Sequence, residues 1–341
     1  MPELPDLVHV ENVLSAALTG RGVTGARVGD PTVLRMMVPG DFAPAVTGRT
    51  IQGIERRGHF MRFALSADRV LVVNAMLVGK YRLLSPEEAA REKDPVALGF
   101  ALVFEDGREL RYLDDKRMGK VYVATPADEA RIPVYAALGV DVIGPAFDRK
   151  TFLALAKRRR DQVRPFLMDK SALASIGNAY ADEILFEARL HPKTFVRTLS
   201  DDDRERLFVA IGKVLRAAID EIARRNQPPE VKVRDFLAVR GRAGKPCPRC
   251  GTTLREVRVG DGDACFCPIC QPATRSLFVD WSRVSEPSPA KRAAETSAGA
   301  GDGTSGGESA EETAAPPPLA PATASRPARP AAARPRRRPR R

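Results

Sequence analysis

Apolar residues first recur at helical spacing. Leu7, Val10, Leu14 and Leu18 follow Pro5 and stop at Gly20, which predicts one amphipathic helix. From about Thr50 to Thr125 the period shortens. Short runs such as Val70–Val73, Phe100–Phe104 and Val121–Val123 lie between turn signals at Arg57-Gly58, Glu105-Asp106-Gly107 and Thr125-Pro126, and predict strands. From about Arg149 to Leu237 helical spacing returns, with helices predicted over Phe152–Arg158, Val163–Met168, Ala179–Leu190 and Asp201–Arg225. Strands followed by helices predict an α+β protein of two domains, divided near Pro145 to Lys150. No internal repeat is visible. Beyond Trp281 there is no aromatic residue, and Val284 and Leu319 are the only larger aliphatics, so 282–341 is expected to be disordered.

Composition narrows the partner. Lys and Arg number 55 against 43 Asp and Glu, a net charge of +12, which favours a polyanion, nucleic acid before an anionic membrane surface. The richest apolar run, Val70 to Val78, is interrupted by Asn74, so no membrane span is expected. The Met-Pro-Glu-Leu-Pro-Asp start does not read as a signal peptide. The last sixteen residues carry eight arginines and no acid, which suits either a flexible cationic arm for phosphate backbones or a solubilising tail.

Three groups of residues carry chemistry. Cys247 and Cys250, then sixteen residues, then Cys267 and Cys270 form two CxxC pairs that match one tetrahedral structural Zn²⁺. Thr252–Val259 and Ala264–Phe266 around Gly260-Asp261-Gly262-Asp263 predict a hairpin between the pairs, with Cys265 a bystander. Gly177-Asn178 stands where a helix begins. Its free N–H groups and dipole end are expected to take an anion such as a nucleic-acid phosphate, or Asn178 simply caps a core helix. Pro2-Glu3 would, after loss of Met1, present a secondary amine beside a carboxylate. With an α-amino pKa near 7.7–8.0, roughly a tenth of that amine is free base at pH 7, enough to attack a sugar C1′ with Glu3 as acid or base; the other reading is an unstructured start.

Pro2-Glu3-Leu4-Pro5, Gly177-Asn178-x-Tyr180-Ala181-x-Glu183 and the terminal four-cysteine hairpin, in this order, resemble the formamidopyrimidine-DNA glycosylase/endonuclease VIII family. The likeness runs from Pro2 to about Pro272 and takes in Arg111-Tyr112-Leu113-Asp114, Gly139 and Gly144-Pro145. It implies an N-terminal helix and β-sandwich domain (1–145), a helix–two-turn–helix domain (146–240) and a zinc hairpin (241–281), with DNA in the cleft between. It further implies a base-excision-repair glycosylase with lyase activity. Pro2 would form the Schiff base and drive β,δ-elimination, Glu3 would protonate the sugar, and Asn178 would hold a phosphate near a flipped base. The partner would be double-stranded DNA with damaged bases or abasic sites, bound by a monomer in a bacterial-type cytoplasm, at the nucleoid.

Departures from the family pattern are specific. The family's lysine after the Arg-Arg-Gly turn is His59 here, and its hairpin-tip arginine falls on Gly262. The void-filling side chains would be Leu77, Lys116 and Met118. The chain between Phe236 and Cys247 is too short for a loop covering 8-oxoguanine, so oxidised pyrimidines, abasic sites or bulky adducts are the expected substrates. A non-catalytic damaged-DNA binder and a zinc-ribbon RNA-associated protein are the competing readings.

Overall fold

The computed structural model describes residues 2–273; residues 274–281 of the expected zinc-hairpin region and the expected tail at 282–341 lie outside them. The first helix, α1 (Leu4–Leu18), has Pro5 in its first turn and buries Leu7, Val10, Leu14 and Leu18. Gly20, at φ +84°, turns the chain away. Then follow β1 (Val23–Val28), β2 (Leu34–Met36), a short α2 (Phe42–Val46), β3 (Ile51–Arg57), β4 (Phe60–Leu65), β5 (Arg69–Asn74) and β6 (Lys80–Leu84). After α3 (Pro86–Arg91) come β7 (Leu98–Phe104), β8 (Glu109–Leu113) and β9 (Lys120–Ala124). The chain from 21 to 49 mixes short elements of both kinds and offers no sustained period, which is why β1, β2 and α2 leave no clear signal.

These strands form two sheets, ordered β1-β7-β8-β6 and β2-β9-β5-β4-β3. Phe63, Leu71, Val73, Phe100, Leu102, Tyr112 and Val121 fill the space between them. The unbroken apolar run of β5 has a physical cause. Leu71 and Val73 face the sandwich core, while Val70 and Val72 face a second cluster with Phe60, Tyr122 and Tyr135, so both faces of the strand are covered.

The helical half begins with β10 (Val140–Asp141), which pairs in parallel with β11 (Leu173–Ala174) across α4 (Arg149–Lys157) and α5 (Val163–Met168). Next come α6 (Asn178–Glu187) and α7 (Asp201–Arg225). The bounds of α7 match the predicted ones because Ser200 and Asp203 form a reciprocal capping box and Asn226 closes the helix in the left-handed region. Nearly every residue of α6 is buried, since α5, α7 and the zinc hairpin surround it. That hairpin, β12 (Arg255–Val259) and β13 (Gly262–Phe266), turns on Gly260-Asp261, with Gly260 at φ +59°. The turn is therefore tighter than the four-residue one expected, and Gly262 and Asp263 belong to the strand.

The two halves are joined through α1. It packs on α7 and on β3. Its His9 donates from Nε2 to the Gln227 carbonyl at 2.7 Å, and Asp6 pairs with Arg234. Arg56 of β3 pairs with Asp141. The N-terminus is thus fixed at the seam of sheet and helices.

Candidate active site and metal centre

Two helix starts meet at Glu3. It is the residue before α1, where its own N–H donates to Asp6 Oδ2 at 2.8 Å. Its carboxylate turns away from that helix and accepts from the N–H groups at the start of α6: Ala179 to Oε1 at 3.0 Å, and Gly177 and Tyr180 to Oε2 at 3.1 and 3.2 Å. A Cβ at 177 would overlap the Glu3 carboxyl carbon, so glycine is required for this approach. Leu4 N–H donates to the Ser175 carbonyl at 3.3 Å, and Ser175 holds φ +76°. The expectation that these N–H groups await an external phosphate is corrected. The anion at the α6 dipole end is the chain's own Glu3, brought there by the packing of α1.

Pro2 is buried and lines a small cavity with Asp6, His9, Lys80, Tyr81 and Pro229–Lys232. Asp6 on its wall pairs with Arg234, whose guanidinium lies 5.1 Å from the centre of the Tyr180 ring. Lys170 stands behind Glu3, its Nζ donating to the Ile176 carbonyl at 3.1 Å. Burial pushes the Lys170 ammonium below its usual range, against the raising charges of Glu3 and Asp169.

Asn178 remains exposed at the α6 start, its Oδ1 accepting from Arg164 Nη2 at 2.8 Å. His59 follows the β3–β4 turn. Burial, with the nearby Lys170 charge, pushes its pKa down to about 4, so it is neutral near pH 7. Its Nδ1 is buried without a hydrogen-bond partner among the described residues. Leu77 (50% exposed) and Met118 (40%) stand on the β5–β6 and β8–β9 loops, with Lys116 exposed beside the second. Both loops leave the same end of the sandwich, where Asn74 pairs with Lys120 and Lys80 with Leu113. Gly79 and Gly119 close around the Tyr112 hydroxyl, which a Cβ at either would strike.

The sulfurs of Cys247, Cys250, Cys267 and Cys270 all lie within 4.8 Å of one another, with Cys247–Cys270 at 4.0 Å and Cys250–Cys267 at 3.5 Å. Tetrahedral zinc with Zn–S bonds of about 2.3 Å needs sulfurs about 3.8 Å apart, so the set fits one ion with no position left for water. Cys265 stays outside it, buried, its thiol pushed up to about 11 by that burial. Its N–H donates to Asp182 Oδ2 at 3.0 Å, tying the hairpin to α6.

Sequence reasoning missed the buried charges that assemble this region: Arg164 and Asp182 (2.8 Å), Lys170, and the Asp6–Arg234 pair. Asp182 lies four residues after Asn178, on one helical face, the one available hint.

Three family models match the chain: the formamidopyrimidine-DNA glycosylase N-terminal domain over residues 1–121, the formamidopyrimidine-DNA glycosylase H2TH domain over 138–227, and a zinc finger found in FPG and IleRS over 244–273. A formamidopyrimidine-DNA glycosylase of Symbiobacterium thermophilum is 34% identical, covering 81% of this chain and 91% of its own length. One of Thermomicrobium roseum is 35% identical over 80% of this chain and 99% of its own. The crystal structure of the MutM (Fpg) protein of Thermus thermophilus superposes with a TM-score of 0.69 at 30% identity, covering 80% of this chain and all of that one. Lactococcus lactis Fpg, solved with DNA containing N7-benzyl-Fapy-dG, gives 0.72 at 26% identity over the same shares.

Proposed function

We propose, from the premise that this chain belongs to the formamidopyrimidine-DNA glycosylase family, a division of labour among its residues in base excision. As a member of that family it is a DNA N-glycosylase and abasic-site lyase of base excision repair. Its one zinc is structural, held by Cys247, Cys250, Cys267 and Cys270. Its partner is duplex DNA carrying a damaged base or an abasic site, the kind of DNA with which Lactococcus lactis Fpg was solved. Among the described residues no helix is long and apolar enough to cross a membrane. We place the protein with the nucleoid in the cytoplasm, acting as a single chain.

In this reading the Pro2 nitrogen, freed by loss of Met1, attacks C1′ of the flipped nucleotide. The C1′–N bond breaks, the base leaves with a proton, and the resulting Schiff base allows loss of the 3′ and then the 5′ phosphate. Glu3 exchanges the proton at the sugar. The single observation that carries this is the Glu3 carboxylate held by Gly177, Ala179 and Tyr180, adjacent in sequence to Pro2, whose nitrogen becomes a terminal amine once Met1 is lost. Asn178 and neutral His59 serve as phosphate contacts, while Leu77 and Met118 enter the stack beside Lys116.

The substrate reading rests on the segment that leads into the zinc hairpin. Ala238, Val239 and Arg240 are bound by Glu183, and Pro246 bridges to Thr253, so the segment before the hairpin is drawn tight and carries no flap over the base. Oxidised pyrimidines, abasic sites and bulky adducts fit this better than 8-oxoguanine.

The test is to mix the processed protein with abasic-site duplex and borohydride. A covalent adduct through Pro2 is expected, and none when Met1 is retained. Equal trapping by the two forms would overturn the assignment.

A further inference from the structure

The tip of the zinc hairpin borders an open cavity of about 280 Å³ lined by Arg164, Pro165, Met168, Asn178, Gly262 and the Val259–Asp261 turn. Arg164 reaches it from α5 and is almost completely buried, with 2% of its surface exposed. Its Nε donates to Asp182 Oδ1 at 2.8 Å, and its Nη2 to Asn178 Oδ1 at 2.8 Å and the Asp263 carbonyl at 3.1 Å. The remaining nitrogen, Nη1, has no hydrogen-bond partner among the described residues. It lies 3.6 Å from where a Cβ on residue 262 would stand, and Asn178 Oδ1 lies 3.4 Å from the same point. Glycine at 262 is therefore what leaves Nη1 open to the cavity.

Charge points the same way. The Asp182 carboxylate is shared, its Oδ2 accepting from Arg240 Nη1 at 2.8 Å, and Arg240 also donates to the Asp263 carbonyl at 2.6 Å. Two guanidinium groups against one buried carboxylate leave one positive charge over. Asp261 on the rim is exposed to water at the turn and screened by it. With Asn178 Oδ1 taken by Arg164, the Asn178 amide nitrogen is left as a second donor at the same opening. Nη1 opens on the cavity without a protein acceptor, and a guanidinium fixed by three bonds is pre-oriented for an anionic oxygen there.

We propose that this cavity seats a phosphodiester oxygen of the DNA backbone between Arg164 Nη1 and the Asn178 amide. Arg164 is then a DNA-positioning residue, and the hairpin contributes space instead of a side chain. This rests on the reading of Asn178 as a phosphate contact.

The experiment measures binding of the full chain to a duplex carrying a tetrahydrofuran abasic analogue, which cannot react, across a range of salt. Gly262→Leu fills the cavity in front of Nη1 while leaving Arg164 and Asp182 themselves unchanged. It is expected to weaken binding at least tenfold and to lower the slope of log affinity against log salt by about 0.9, the worth of one phosphate. Arg164→Lys keeps the charge opposite Asp182 but loses the fork, with a several-fold loss expected. Adding Gly262→Arg to it is expected to recover that loss, which a merely structural Arg164 would not allow. Unchanged affinity and slope in Gly262→Leu, or no recovery in the double variant, overturns the inference, as does failure of the unaltered protein to bind. Borohydride trapping is read separately, so absence of an adduct counts against Pro2 and not against Arg164.

Discussion

Glu3 and Glu183 are nearly the same object by local measure. Each is 7% exposed, and each carboxylate accepts three backbone N–H groups. Their surroundings separate them. The donors to Glu3 open a helix, so the α6 dipole adds to them, and the cations Lys170 and Arg234 lie near it. The donors to Glu183 are three successive residues of a loop, and the nearby charge is the Asp182 anion. Burial, helped by Asp182, raises the Glu183 pKa in spite of its three hydrogen bonds. Glu3 follows Pro2, the proposed nucleophile, whereas Glu183 holds the segment leading to the zinc hairpin. Equal hydrogen-bond counts thus go with a proposed chemical role at one carboxylate and an architectural one at the other.

Glu3→Gln breaks the comparison most sharply. Loss of the proton-exchanging group is expected to slow base excision by about 10²–10⁴-fold. Strand cleavage at a preformed abasic site should suffer less, because the Pro2 amine is retained. Single-turnover rates on damaged-base and abasic duplexes measure both, and equal losses would remove the proposed role. Glu183→Gln is expected to do the reverse. An amide cannot accept all three N–H groups without turning its own NH₂ onto one of them, which costs about 1–3 kcal/mol. Thermal unfolding should fall by several degrees while the rate per folded molecule stays. A large rate loss without a stability loss would erase the distinction.

How far this was visible beforehand depends on the range of each interaction. The bounds of α7 were legible because its caps, Ser200 with Asp203 and Asn226, lie in the sequence next to what they cap. The metal set was legible because thiolate spacing within each CxxC is itself the chemistry. The α6 start was read as an anion site, and an anion is there. A helix dipole specifies the sign of its partner but not its source, and Glu3 is separated from Tyr180 by 177 positions. Arg164 and Asp182 were missed for a related reason. A charged residue on a helix is ordinarily read as solvated, and only the packing of α5, α6 and β13 together reveals that these two are not.

The smallest effect comes from pH, where a third group tests the comparison. The folded pKa of Glu183 lies above its unfolded value, so the folded state holds the proton longer, and its share of stability falls as pH rises from about 4.5 through the raised value. His59 runs the other way. Its folded pKa of about 4 lies below an unfolded value near 6.5, so its share is full above about 6.5 and is lost as pH falls toward 4. Partial solvent contact reduces this share to about 1 kcal/mol. Chemical unfolding midpoints measured from pH 4 to 8 should therefore separate the two. His59→Phe should flatten the acid-side decline by about that amount, whereas Glu183→Gln should lower the midpoint throughout and remove the opposing slope. If His59→Phe leaves the acid limb unchanged, His59 is already hydrated in the folded protein and its neutrality is not imposed by burial. The polar end of the β3–β4 turn would then be as free to take a proton as any surface histidine, and its place as an uncharged contact would have to be given up.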